Sequence, residues 1–310
     1  MSRVLVTGAA GFAGSHLIEY LAPRGRLLAW GRAEPPAELA RLAEWTRIDL
    51  LDREHVRREI AALRPSAVYH CAGAPHVGES WRSTAEPLAR NVLATHYLLD
   101  AVRRAGLGCR VLVTGSAMVY APSGAPLRED DPLVPANPYG VSKLAQEQLG
   151  VRSWAEDGIA VILTRPFNHT GPRQRPAFVA PGIARQIALI ERGRVDAVIK
   201  VGNLDAARDL TDVRDTVRAY AALMERGVPG TVYNVASGTA RSVRTVLEGL
   251  TRRSRVPVHV AVDAARLRPN DTPVLVGDPS RLRAATGWRP EISFDQTLDD
   301  LLEYWRAAVG

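Results

Sequence analysis

Short apolar runs alternate with amphipathic stretches through the first half of the chain. RVLVTG (3–8), LLAW (27–30), AVYHCA (67–72), RVLVTG (110–115) and AVILTR (160–165) are brief, largely apolar and rich in β-branched residues, which predicts buried strands. Between them, residues 14–22, 53–63, 87–105 and 139–156 carry apolar side chains at helical spacing. Alternation at this interval predicts a parallel sheet with helices on both faces. The two copies of RVLVTG are similar strand ends rather than a repeat architecture. Past about residue 166, Pro, Gly and Asn become frequent, and the strands AVIKVG (197–202) and TVYNVAS (231–237) are separated by irregular connections. The pattern divides the chain into a sheet domain over 1–165, with parts of 200–235 returning to it, and a smaller, discontinuous α/β lobe over 166–310. Open parallel sheets bind ligands at the carboxyl ends of their strands, here the crevice between the two parts.

That crevice holds the first candidate chemistry. VTGAAGFAG (6–14) follows a strand and opens a helix. Gly8 permits the tight turn, Gly11 lets the backbone approach a pyrophosphate, and Gly14 lets the helix pack close on the strand. Phe12 and Ala13 begin the helix whose N-terminus then meets the negative charge. In this strand–helix context the loop predicts a Rossmann-like, doubly wound dinucleotide-binding domain; the competing reading is a tight turn with no ligand. NAD sites carry an acidic residue about 20 residues further on, against the ribose hydroxyls. Here Gly31 and Arg32 end the second strand instead. An arginine there suits a 2′-phosphate, which favours NADP(H) and leaves NAD(H) possible; the competing reading is a solvated surface arginine. In RIDLLD, Asp49 and Leu50 follow a short apolar step, and a carboxylate at 49 suits an adenine amino group.

NPYGVSK (137–143) sets Tyr139 four residues ahead of Lys143, so both face the same side of a helix. The chain has two lysines, Lys143 and Lys200, against 38 arginines. A phenol with a pKa near 10 is a poor proton donor and acceptor at neutral pH, and a nearby ammonium favours its ionisation. Ser116, just past a strand end, adds a hydroxyl in the same crevice. Such a trio suits hydride transfer to or from a carbonyl, the phenol exchanging a proton with the oxygen.

With these three motifs in order, the whole chain resembles the extended short-chain dehydrogenase/reductase family of nucleotide-sugar epimerases, dehydratases and reductases. The resemblance implies Ser116 as oxyanion partner, Tyr139 as acid–base group and Lys143 as its tuner. HCAG (70–73), with Ala72 and Gly73, looks like the family's cofactor-lining strand end. ARNVLAT resembles its helix bearing Asn91, and RPFNHTGP (165–172) resembles the strand end lining the nicotinamide at Pro166, with Asn168 near the sugar diphosphate. Arg165 could equally be a structural ion-pair partner. The second lobe, from FNHTGPRQRPAFV through AARDLTDVRD to RLRPNDTP, resembles the GDP-sugar dehydratases and GDP-4-keto-6-deoxy-hexose reductases. It implies Arg208 and Arg268 on the diphosphate, with Phe178 and Val179 by the base or sugar. The dehydratases read Thr-Ser-Glu-x-Tyr where this chain reads Ser116-Ala117-Met118-Val119-Tyr120, so Met118 stands at the glutamate's place against the sugar. A thioether cannot act as a general base. The departure favours C4 reduction of GDP-4-keto-6-deoxy-D-mannose, giving GDP-D-rhamnose, over dehydration. A 4-epimerase or a non-catalytic NADP-sensing protein are the other readings.

Composition narrows the rest. The hydrophobic share of 46% and charged share of 24% are those of a soluble globular protein. The net charge of +7 suits an anionic substrate, and no basic block with interleaved aromatics points to nucleic acid. The first residues read as a strand and Gly-rich turn rather than a secretory signal, and no apolar run is long enough for a bilayer. Two cysteines, Cys71 and Cys109, build no disulfide framework, so a cytoplasmic location is expected. Relatives pair through helices near 91–105 and 139–156, so the resemblance also implies a homodimer.

Overall fold

A computed structural model describes residues 3–74, 80–81, 83–266 and 273–310. The first half alternates as its pattern requires: β1 (Val4–Thr7), α1 (Phe12–Leu21), β2 (Leu27–Gly31), β3 (Glu44–Arg47), α2 (Arg53–Leu63), β4 (Ala67–His70), α3 (Ala94–Arg104), β5 (Arg110–Thr114), α4 (Pro138–Asp157) and β6 (Ala160–Pro166). Helix α3 is entered through a π-helical turn, Leu88–Leu93, which the regular spacing of 87–105 does not disclose.

The second half supplies β7 (Asn168–Thr170), α5 (Val179–Glu191), β8 (Val198–Val201), β9 (Ala207–Asp212), α6 (Val213–Arg226), β10 (Val232–Val235), β11 (Ala240–Ser242), α7 (Val243–Thr251), β12 (His259–Val262), β13 (Val274–Leu275), α8 (Ser280–Thr286) and α9 (Phe294–Ala308).

Seven parallel strands form the main sheet in the order β10-β6-β5-β4-β1-β2-β3. The chain runs outward from β1 to β3 and returns to place β4 on the other side of β1. That reversal opens a crevice at the carboxyl ends of β1 and β4, where doubly wound sheets bind ligands. Leu17 and Ile18 of α1 and Val217 and Tyr220 of α6 cover one face; Ile60, Leu98 and Val102 from α2 and α3 cover the other. Strand β10 lies at the edge of this sheet, and Leu282 and Trp288, from α8 and just beyond it, also pack on the first face.

A second core gathers Ile183, Ile187, Leu247, Leu250, Leu298 and Leu301 from α5, α7 and α9. Beside it, β9 pairs with β7, β11 and β13, and β8 pairs with β12. One clasp joins this part to α1. Arg173 donates to Glu19 at 2.7 Å and to His16 Nδ1 at 2.8 Å, while His16 Nε2 faces the Pro172 carbonyl at 3.0 Å. These contacts fix His16 as the neutral Nε2–H tautomer, and burial with the Arg173 charge lowers its pKa to about 4. The clasp holds Arg173 in the left-handed region at φ 70°, a conformation an isolated L-residue disfavours.

Candidate active site

Three loops meet at the carboxyl ends of β1, β4 and β5. In the first, Gly8 has φ +67° and its α-carbon faces Ala72, where a built Cβ would lie 2.7 Å from backbone. A side chain is excluded there on both conformational and steric grounds. Gly11 N–H closes the turn on the Gly8 carbonyl at 2.9 Å, and Gly11 then caps α1 without any side-chain hydrogen bond. The first turn of α1, at Phe12 and Ala13, carries no acidic residue, and a Cβ on Gly14 would collide with the Gly8 carbonyl. The result is a bare helix N-terminus over a tight glycine turn, a cradle that side chains would fill and that suits a pyrophosphate.

Arg32 lies exposed past the end of β2. Asp49 accepts from Leu51 N–H at 3.0 Å and from Arg90 at 3.4 Å, while the Leu50 side chain packs into the core. Asn91, carried inward by the π turn, is fully buried. Its Oδ1 accepts from Ala74 N–H at 2.8 Å and its Nδ2 donates to Ser142 at 2.9 Å. The Asn91 amide therefore ties the loop after β4 to α4, and a side chain at Gly73 would strike it at 2.5 Å.

The loop after β5 and the start of α4 bring Ser116, Tyr139 and Lys143 together. Asn137 caps α4 by accepting from Gly140 N–H at 2.8 Å, with Pro138 in the first turn. Gly140 lets the helix start press on the turn at 117–119, since a Cβ there would lie 2.4 Å from the Met118 carbonyl. That close approach seats Tyr139 against Ser116, which hydrogen-bonds the phenol. Burial raises the Tyr139 pKa, and the Ser116 bond works against that rise. One turn on, Lys143 Nζ lies 5.9 Å from the Tyr139 ring centre and donates to the Thr114 carbonyl at 2.8 Å. Burial lowers its pKa to about 8. Met118 is half-buried in the same turn. Behind the trio, Arg165 and Glu147 form a buried two-pronged ion pair at 2.8 and 2.7 Å, and Arg165 also donates to Tyr120 at 2.8 Å. Arg165 is thus the structural ion-pair partner, and not a group free to meet a ligand.

Beyond β6 the crevice continues into a cavity of about 400 Å³ lined in part by Asn168, Phe178, Val179, Arg208 and Arg241. Phe12 stacks on His169 with ring centres 5.5 Å apart, joining the glycine loop to the cavity wall. Arg241 on β11 stands directly opposite Arg208 on β9. Like charges facing each other across a strand pair repel. Among the described residues Arg241 forms no carboxylate ion pair; it donates to the Leu210 carbonyl at 3.3 Å and lies over the Phe294 ring at 4.6 Å. Burial lowers its pKa. Two arginines opposite each other on the strand pair, both lining the cavity, suit a diphosphate. Arg268 lies outside the described residues.

The family model described as GDP-mannose 4,6 dehydratase matches residues 5–301. The chain belongs to the GDP-mannose 4,6-dehydratase family. It is 37% identical over 310 residues to a GDP-6-deoxy-D-mannose reductase of Pseudomonas aeruginosa, covering 99% of this chain and 98% of the relative. The structure of RMD from Pseudomonas aeruginosa complexed with NADPH superposes with a TM-score of 0.87 at 35% identity, over 99% of this chain and 100% of that one. The UDP-glucose 4-epimerase of Thermus thermophilus complexed with NAD matches with the same TM-score at 29% identity, over 99% of each chain.

For this family member, sequence motifs locate the glycine loop and the Ser116–Tyr139–Lys143 trio, because each motif is local or repeats at helical spacing. They do not locate Arg241. Its relation to Arg208 depends on the pairing of β11 with β9, and no motif carries that.

Proposed function

We propose that the chain reduces the C4 keto group of GDP-4-keto-6-deoxy-D-mannose, giving GDP-D-rhamnose, with NADPH favoured over NADH. What carries the reading is the meeting of Ser116, Tyr139 and Lys143 at the carboxyl ends of the main sheet, with Met118 beside them where dehydratases keep a glutamate. Gly8, Gly11, Phe12, Ala13 and Gly14 would hold the cofactor pyrophosphate, and Ala72, Gly73 and Pro166 would flank the rest. The bound nicotinamide would supply hydride to C4. Tyr139, a phenol and so protonated at neutral pH, would give its proton to the C4 oxygen. Ser116 would steady that oxygen, and Lys143 would favour the phenolate left behind. Arg208 and Arg241, with Arg268, would grip the diphosphate, so that binding remote from C4 orients the ring.

The test is a panel of nucleotide 4-keto-sugars, followed by NADPH absorbance. Turnover is expected with the GDP-4-keto-6-deoxy sugar, one cofactor oxidised per sugar reduced. Turnover confined to UDP- or TDP-sugars would remove the GDP assignment and leave the reductase chemistry standing.

The preference for NADPH rests on Arg32, which is exposed and has no carboxylate partner among the described residues. Arg32→Ala should weaken NADPH binding by about 1.5–3 kcal/mol, as for a hydrogen bond to a charged group, and leave NADH nearly unaffected. Equal losses for both cofactors, measured by fluorescence titration, would take Arg32 off the phosphate. A homodimer belongs to the same proposal. Leu88 and Leu93 on the π turn and Val141 and Trp154 on α4 are large apolar side chains left 41–47% exposed. A cytoplasmic setting is proposed with it, on the two free cysteines.

A further inference from the structure

Lys143 is held by more than the Thr114 carbonyl. Its Nζ also donates to Gln146 Oε1 at 2.8 Å, one turn further along α4. Gln146 is fully buried and continues into a chain of fully buried polar groups drawn from three other elements. Gln146 Nε2 donates to Thr95 Oγ1 at 2.8 Å, His70 Nε2 lies 2.8 Å from the same oxygen, and His70 Nδ1 lies 2.8 Å from Thr7 Oγ1 at the end of β1.

The direction of every bond in the chain can be worked out. Thr95 has one hydroxyl proton, and it is committed to the Asn91 carbonyl at 2.6 Å. Thr95 Oγ1 must therefore accept from both His70 and Gln146. His70 is then the neutral Nε2–H tautomer, accepting at Nδ1 from the Thr7 hydroxyl. Burial, with Lys143 nearby, lowers the His70 pKa to about 3, consistent with that neutral form. The amide nitrogen of Gln146 faces Thr95, so its oxygen faces Lys143. An ammonium has three N–H donors. Thr114 and Gln146 take two, and one remains.

We infer that Gln146 is a positioning residue for Lys143, its amide oxygen locked by the Thr7–His70–Thr95 chain so that the ammonium keeps one N–H for the crevice. The inference rests on the proposed role of Lys143. The charged and titratable groups around Lys143 offer no anion in place of Gln146. His70 and Cys71 come from β4 and the loop after it, and burial holds His70 neutral and raises the Cys71 pKa to about 12. Tyr220 on α6, near Tyr139 and Cys71, is raised well above the ordinary phenol range by burial. Tyr139 on the lysine's own helix is also raised, and Glu147 is bound to Arg165. Among the described residues Lys143 has no ion pair, so two carbonyl oxygens stabilise a charge that burial disfavours.

The chain's two lysines make the test direct. Protein grown with lysine carrying 13C at Cε gives two side-chain signals, and Lys200→Arg assigns them. The Lys143 signal of the wild type should titrate near pH 8. In Gln146→Met, which keeps length and loses the acceptor, the midpoint should fall by about one pH unit or more, the range for a hydrogen bond to a charged group. In Gln146→Glu it should rise. Thr95→Val frees the amide to turn and should move the midpoint down by a smaller amount, which keeps the test available if the methionine variant does not fold. Midpoints of all three variants within about 0.2 pH units of wild type, a margin small against that range, would overturn the inference, whatever happens to their melting temperatures. Lys143→Met tests the catalytic reading separately. It should cut kcat by about a hundredfold or more, and wild-type turnover there would remove the lysine's role without touching the titration result.

Discussion

Tyr139→Phe should lower kcat by about 10²–10⁴, the usual worth of a positioned proton donor. The substitution removes one oxygen and keeps the ring, which is 9% exposed between α4 and the turn at 117–119. Its hydrogen-bond partner is Ser116, which also accepts from Met118 N–H at 3.2 Å and so stays in place when the phenol is lost. The glycine cradle is on a different loop, so cofactor affinity should barely change. A loss confined to kcat, with an unchanged Kd for NADPH, is the signature of a group that acts at the reacting oxygen. A phenylalanine enzyme keeping more than about half of wild-type turnover, where that worth predicts about one per cent at most, would take Tyr139 out of the chemistry.

The parts of the molecule that could be read from sequence are those whose causes are local. Strands β1, β4, β5 and β6 fall where the short apolar runs lie, because a strand buried on both faces needs nothing but continuous apolar residues. Tyr139 and Lys143 could be paired on paper because a helix turn sets them on one side. The π turn at Leu88–Leu93 could not be foreseen, since one extra residue in a turn leaves the apolar spacing almost unchanged, yet it carries Asn91 inward. Asn91 then proves to be engaged by Ala74 and Ser142. Residues read singly gave no sign of Arg241 opposite Arg208, or of Gln146 linked through Thr95 to His70. Both arrangements depend on which strand or helix lies beside which, and His70 and Gln146 share a partner only because β4 and α4 flank α3. The return of Leu282 and Trp288 to the main sheet is of the same kind: an apolar stripe says that a helix packs, not against what.

Supplied with GDP-mannose, the protein should release no 4-keto product, although the chain belongs to a family named for that dehydration. Elimination of water across C5 and C6 needs a base to take the C5 proton. The turn beside the trio offers Ser116, Ala117, Met118 and Val119, and Met118, half-buried there, has a thioether in place of a carboxylate. A carboxylate behind the trio, Glu147, is bound through both oxygens to Arg165 and is 2% exposed, so it is not free to stand in. Ser116 and Tyr139 remain; neither is a carboxylate, and a phenol, protonated at neutral pH, suits giving a proton to a C4 oxygen. The same side chains thus suit reduction at C4 and lack the base that dehydration needs. Incubation of GDP-mannose with the protein and NADP+, followed by mass spectrometry for loss of water, should show the sugar nucleotide unchanged. Accumulation of the dehydrated keto-sugar would mean that a base other than a residue at position 118 serves the C5 proton, and the case for a dedicated reductase would fall with it.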